Sequence, residues 1–308
     1  LKIKLHIGTH KTGTTFTQNF LYHNRELLAS KGILYPTVGI AENAHHILGG
    51  RLIHDLHLTV FSRSRRTAGR ELGHSKISEI AEWKQIKSIA DANQFRSMIL
   101  STEQFEWLSD PSVIADFLAG HEVEIVVYLR RQDSYLASLY QTLVSDYPIR
   151  ARATFSEWLQ DVTHNGQIYD YEALLGRWEG AFGAGAINAF VFEVERAKGL
   201  EKSVCENLEI PIEARNLMMR PQSGWGQKRR ESIDWRCLEM LRLANVGNLE
   251  IAKFKNLHRL VVEVSDALRS QGKIDAAGAN NEMLTQIMHS VTASNNNISH
   301  RYLRGLSL

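Results

Sequence analysis

Gly8 and Gly13 enclose Thr9-His10-Lys11-Thr12, and Thr14-Thr15 follow directly. That pattern suits anion binding. Glycines let the main chain come close to a ligand, and the N–H groups of such a loop, with those of the next helical turn, converge on negative charge, usually phosphate. Lys11 adds a positive side chain. The spacing nearly reproduces the nucleoside-triphosphate pattern G-x-x-x-x-G-K-[ST]. However, Thr14 stands where the lysine belongs, and Lys11 precedes the second glycine instead.

With that displacement, Lys11-Thr12-Gly13-Thr14-Thr15 resembles the loop Lys-x-Gly-Thr-Thr of sulfotransferases that use 3′-phosphoadenosine 5′-phosphosulfate (PAPS). The chain looks like a bacterial-type member of that family. A second signature of the family is a strand ending in arginine with a serine eight positions later. Arg130 and Ser138, in VVYLRRQDSYLASLY, match it, whereas Arg131 is one position short. The resemblance implies that His10, Lys11, Thr12, Gly13, Thr14 and Thr15 bind the 5′-phosphosulfate and that Arg130 and Ser138 grip the 3′-phosphate. The second assignment is physically sound: an arginine at a strand's carboxyl edge offers a planar fork of donors, and a serine on the next helix reaches the same anion. Specific motifs cover about residues 1–140, and the remainder matches in outline.

The implied reaction is in-line transfer of a sulfuryl group from PAPS to an acceptor hydroxyl of a carbohydrate, lipid or small metabolite, leaving 3′,5′-phosphoadenosine (PAP). Negative charge builds on the bridging oxygen, where Lys11 and the loop N–H groups would stabilise it, and no metal is required. A base must take the hydroxyl proton. Cytosolic family members place a histidine at the end of the strand preceding the arginine strand, where this chain has Glu103. Other members use a glutamate or histidine after the second strand, where Glu42, His45 and His46 stand. Either a carboxylate or a neutral imidazole can do this. Glu103 ranks first and His46 second, with His45 beside it.

The positioning elements follow from periodicity. Strands are expected over 1–8, 32–36, 97–102, 123–130 and 186–192, of which Val123 to Leu129 is apolar enough to be central. Helices are expected over 14–30, 47–58, 77–92, 134–144 and 169–182, with a mainly helical part over 193–308 interrupted by a basic loop at 215–230. Strands alternating with helical crossovers predict an α/β fold, one three-layer domain over 1–308 around a parallel sheet of about five strands, with residues 1–192 as its core. Arg63, Arg65, Arg66 and Arg70 form a cluster read as a solvated loop, with capture of an acidic acceptor as the alternative.

Composition narrows the class. Hydrophobic residues make up 44% and charged residues 23% of the 308, and the net charge of +2 gives no global field for nucleic acid, so an anion site must be local. The two cysteines, Cys205 and Cys237, lack a paired spacing and read as free thiols of a reducing, cytoplasmic compartment. No apolar run reaches a membrane span, and the chain opens on a strand without an initiator Met, so residues before Leu1 can be missing. Two other readings compete. A P-loop kinase needs Mg²⁺ and an Asp at a strand end, where only Glu103 could substitute. A non-catalytic PAP-binding module would keep Lys11, Arg130 and Ser138 without turnover.

Overall fold

Alternation of β-branched and apolar residues with helical segments produces an all-parallel sheet of five strands, β1 Lys2–His6, β2 Ile33–Leu34, β3 Ser97–Ser101, β4 Glu122–Leu129 and β5 Ile187–Val191, in the order β2-β3-β1-β4-β5. The computed structural model describes residues 1–53, 76–147, 149–165, 168–216, 218, 232–274 and 282–308. The arginine cluster at 63–70, residues 54–58 of the expected 47–58 helix, and most of the basic loop lie outside them.

The central strand β1 pairs with β3 on one side and β4 on the other, so that His6 stands opposite both Ser101 and Val126. The connection from β1 leads to one side of the sheet and the crossover from β3 to β4 leads to the other. This reversal falls at β1, β3 and β4, whose carboxyl ends are where open α/β sheets place ligands.

Helices cover both faces. In chain order they are α1 Thr14–His23, α2 Arg25–Ser30, α3 His46–Leu52, α4 Ala81–Ala92, α5 Ser112–Phe117, α6 Gln132–Ser145, α7 Phe155–Asn165, α8 Tyr171–Phe182, α9 Phe192–Lys198, α10 Leu200–Asn207, α11 Ile212–Arg215, α12 Trp235–Val246, α13 Ile251–Ser270, α14 Glu282–Ser290 and α15 Thr292–Tyr302. The two-residue period of the strands sorts the core. Ile3, Leu5, Met98, Leu100, Ile125 and Val127 pack with Trp83, Phe105 and Trp178, while Ile99, Val126 and Tyr128 pack with Phe20, Leu21 and Leu28. A third cluster joins α6 to α7, α12, α13 and α14 and makes the carboxyl-terminal part helical.

Lys4 is a buried cation on β1, and its Nζ donates to Glu124 at 2.6 Å and lies 3.0 Å from Glu209. Such a charge is tolerated inside only when paired in this way.

Several boundaries differ from the sequence expectation. The single helix expected over 14–30 is two, because buried Asn24 turns its Nδ2 onto the Phe20 carbonyl at 2.8 Å, offering the backbone a local alternative to continued helix. The strand expected over 32–36 shrinks to Ile33–Leu34 on the sheet edge. The segment 77–92 begins as a short 3₁₀ turn, Ile77–Glu79, before α4. Cys205 and Cys237 are both buried free thiols on separate helices. Among the described residues, no helix is long and apolar enough to cross a membrane.

Candidate functional site

The loop after β1 runs along the carboxyl end of β4. Thr9 donates its N–H and its hydroxyl to the Tyr128 carbonyl at 3.0 and 3.1 Å, and Tyr128 returns its N–H to Gly8 at 2.8 Å. The Thr12 hydroxyl closes the turn on the Thr9 carbonyl at 2.5 Å. Both glycines are needed. Gly8 has φ 102°, and a Cβ there would lie 3.1 Å from the Glu103 backbone. Gly13 has φ 77°, with Leu200 and Phe192 pressed against the position a Cβ would take. Lys11 is left-handed as well, with φ 64°, a costly conformation for a residue with a side chain. No side chain caps α1 and no acid stands in its first turn, so Thr14 and Thr15 open a helix whose N–H end faces out of the loop.

Lys11 Nζ donates to the Thr142 hydroxyl at 2.7 Å, and Thr142 donates to the Ser138 carbonyl one turn earlier on α6. Arg130, at the end of β4, donates Nη1 to the Lys11 carbonyl at 3.1 Å. The two motifs are therefore in direct contact. Arg130 Nε is buried with no hydrogen-bond partner, and Glu193 lies 3.8 Å from it. Burial lowers the guanidinium pKa from its ordinary value, and nearby Glu193 offsets only part of this. An orphaned, desolvated donor beside an N–H-lined loop is suited to an anion. Ser138 is half-buried on the α6 face that carries Thr142.

Glu103 follows β3 at the start of a 3₁₀ turn, Glu103–Trp107, with its backbone against Gly8. Its Oε2 accepts Gln18 Nε2 at 2.6 Å. Burial opposes its charge, but the electrostatic influence of His10 and His46 and the Gln18 bond prevail and hold the carboxyl below the usual carboxylate range. It is an ionised acceptor at neutral pH.

The histidines divide. His45 is fully buried, its Nδ1 accepting the Ser101 N–H at 3.1 Å and its Nε2 donating to the Pro36 carbonyl at 2.9 Å. Both nitrogens are committed to backbone, and the geometry makes His45 a brace for the second loop with no acceptor to offer a substrate. His46 is half-buried, with Nδ1 2.9 Å from Thr102 Oγ1. Thr102 Oγ1 also accepts the Gln104 amide at 3.2 Å, and its second lone pair and its hydrogen let it meet His46 Nδ1 as either acceptor or donor. Glu42 is exposed.

His45 carries a pH prediction. Burial pushes its pKa down to about 4 from 6.5, its two backbone bonds notwithstanding, and burial does the same to His6. The unfolded chain takes up these protons below about pH 6.5 while the folded chain refuses them until about pH 4, so stability is full above that window and falls as pH drops through it, by about 3 kcal/mol for each histidine. The urea midpoint is expected to fall between pH 7 and 5, and to fall less in His45→Gln; a pH-independent wild-type midpoint would refute the assignment.

Sequence reasoning did not reach Gln18, Glu106 or Thr142. Thr142 was accessible in principle, since it lies four residues after Ser138 and so shares its helix face. Gln18 and Glu106 carry no motif. Among the described residues, no group of three or more His, Cys, Asp or Glu could hold a metal ion.

No known family model matches the chain, and no curated protein does. Among solved structures, the chain is similar to a sulfotransferase from Alicyclobacillus acidocaldarius, at 14% identity over 82% of this chain and 98% of that one, with a TM-score of 0.40.

Proposed function

We propose that the protein is a PAPS-dependent sulfotransferase. The observation that carries this reading is the contact between Arg130 and the Lys11 carbonyl, which joins the displaced-lysine loop to the strand-end arginine while leaving Arg130 Nε buried without a hydrogen-bond partner, Glu193 lying 3.8 Å away. Lys11 and Arg130, 119 positions apart, converge either for one ligand or for the fold alone, and the buried Nε without a hydrogen bond favours the ligand.

PAPS would supply the activated sulfuryl group. The loop residues His10 to Thr15, the first turn of α1 and Lys11 would bind its 5′ end, and Arg130 with Ser138 the 3′-phosphate. Lys11 holds positive charge where the bridging oxygen becomes anionic. Glu103 would accept the proton of an acceptor hydroxyl; its bond to Gln18 and its packing against Gly8 support this choice. His46 is the second choice of base. An acceptor hydroxyl on a sugar, lipid or small metabolite fits this scheme.

The test combines PAP titration with labelled PAPS and a panel of sugar, glycolipid and phenol acceptors. Transfer of label is expected. Binding without transfer to any acceptor would leave a binding module, and preference for ATP with Mg²⁺ would indicate a kinase. Within this reading, Arg130→Ala and Ser138→Ala are expected to weaken PAP by about tenfold or more, the loss of a charge-assisted bond, and to weaken a nucleotide lacking the 3′-phosphate less. Equal losses for both ligands would remove these residues from 3′-phosphate recognition.

A further inference from the structure

We infer that Glu106 is a positioning residue that locks the anion-binding loop in shape by clamping His10; the catalytic consequence rests on the proposed function, the structural one does not. Glu106 is a carboxylate 4% exposed, on the 3₁₀ turn after β3. Its Oε2 accepts two donors from a single residue, the His10 backbone N–H at 2.8 Å and ring Nδ1 at 2.6 Å. Its Oε1 accepts the Tyr135 hydroxyl at 2.9 Å from α6, and its carbonyl accepts Arg177 from α8 at 3.3 Å. The next residue, Trp107, stacks on the His10 ring at 4.2 Å.

Holding a residue by main chain and ring together fixes its backbone and its rotamer. His10 immediately precedes Lys11, whose left-handed backbone needs surrounding structure to hold it. Thr9 is pinned to Tyr128 on one side, and the Lys11 carbonyl is held by Arg130 on the other. Glu106 supplies the clamp between them. It also ties the loop to Tyr135 on the helix that carries Ser138 and Thr142, so the two halves of the candidate site share one buried anchor. A buried carboxylate is costly unless its lone pairs are used, and three donors use them here.

Glu106→Gln keeps the shape but has one acceptor oxygen for donors on both sides. In the ligand-free variant, amide exchange at Lys11, Thr12, Gly13 and Thr14 is expected to accelerate at least about tenfold, and the hydrogen-bonded His10 ring N–H resonance to disappear. His10→Ala, which releases the clamp from the loop side at a partly exposed position, is expected to accelerate exchange alike and stands in if Glu106→Gln does not fold. Tyr135→Phe removes the other contact of Glu106 and is expected to lower the melting temperature while leaving loop exchange near wild type. If the protein transfers sulfate, Glu106→Gln is expected to lower kcat about 10²-fold with a smaller change in acceptor KM, the cost of a misplaced Lys11. Unchanged exchange in the folded clamp variants, or equal loosening in Tyr135→Phe, would overturn the inference. Failure of the wild type to bind PAP would overturn the functional reading alone.

Discussion

Replacing Glu103 by Gln is expected to lower sulfate transfer by about 10²–10⁴ while PAP affinity stays within a few-fold. Glutamine keeps the side chain's size and its reach to Gln18, so the packing against Gly8 survives. What disappears is the proton acceptor. The wild-type carboxylate is held in its charged form by His10, His46 and Gln18 against the opposing effect of burial, so it is a base across the neutral range and loses that capacity only well into acid. Steady-state rates with a sugar alcohol and a phenol, beside PAP calorimetry, check this. An active Glu103→Gln with a dead His46→Ala would transfer the role to His46. Activity in both variants would mean an acceptor acidic enough to need no base.

The second large effect belongs to Lys11. Lys11→Ala is expected to cost about 10²–10³ in turnover, the range for losing a preorganised electrostatic contact, and to weaken PAP far less. The reason is that its charge is wanted most when the bridging oxygen becomes anionic, which is a transition-state demand. The bond from Nζ to Thr142 places the ammonium beside the α6 face that carries Ser138. Turnover within a few-fold of wild type would remove Lys11 from the chemistry. A parallel loss in PAP affinity would make it a binding residue only.

The sheet was legible because its strands, apart from the two-residue Ile33–Leu34, are runs of alternating or β-branched apolar residues. Val123 to Leu129 reads as central in the sequence and lies directly beside β1. The loop was legible for a different reason, since glycine spacing and a nearby lysine form a local pattern. Their convergence needs the strand order β2-β3-β1-β4-β5, which no local pattern encodes. Glu103 could be placed because it closes a buried strand. Glu106, three residues later, carries no motif, and only the path of the loop brings His10 onto it. The bonding of His45 was hidden for a similar reason: its ring nitrogens meet backbone groups of Ser101, on β3, and of Pro36, which only the folded loop brings to it. The break at Asn24 was invisible because asparagine is permitted in a helix and departs from it only when its amide finds a carbonyl, here that of Phe20.

The bond from Arg130 Nη1 to the Lys11 carbonyl has an energetic meaning beyond geometry. Under the proposed function, one guanidinium would read a phosphate with one edge while holding the Gly8–Gly13 loop with another, and the two ends of a nucleotide would be thermodynamically linked, so that their contributions to affinity would not add. A nucleotide lacking either phosphate would then forfeit its own contacts and part of the order they impose on the far end. Arg130→Ala would carry a shared penalty that appears even with the ligand missing its 3′-phosphate, on top of the selective one. Ser138→Ala, whose side chain has no hold on the loop, would show the selective penalty alone, and the difference between the two variants would measure the linkage.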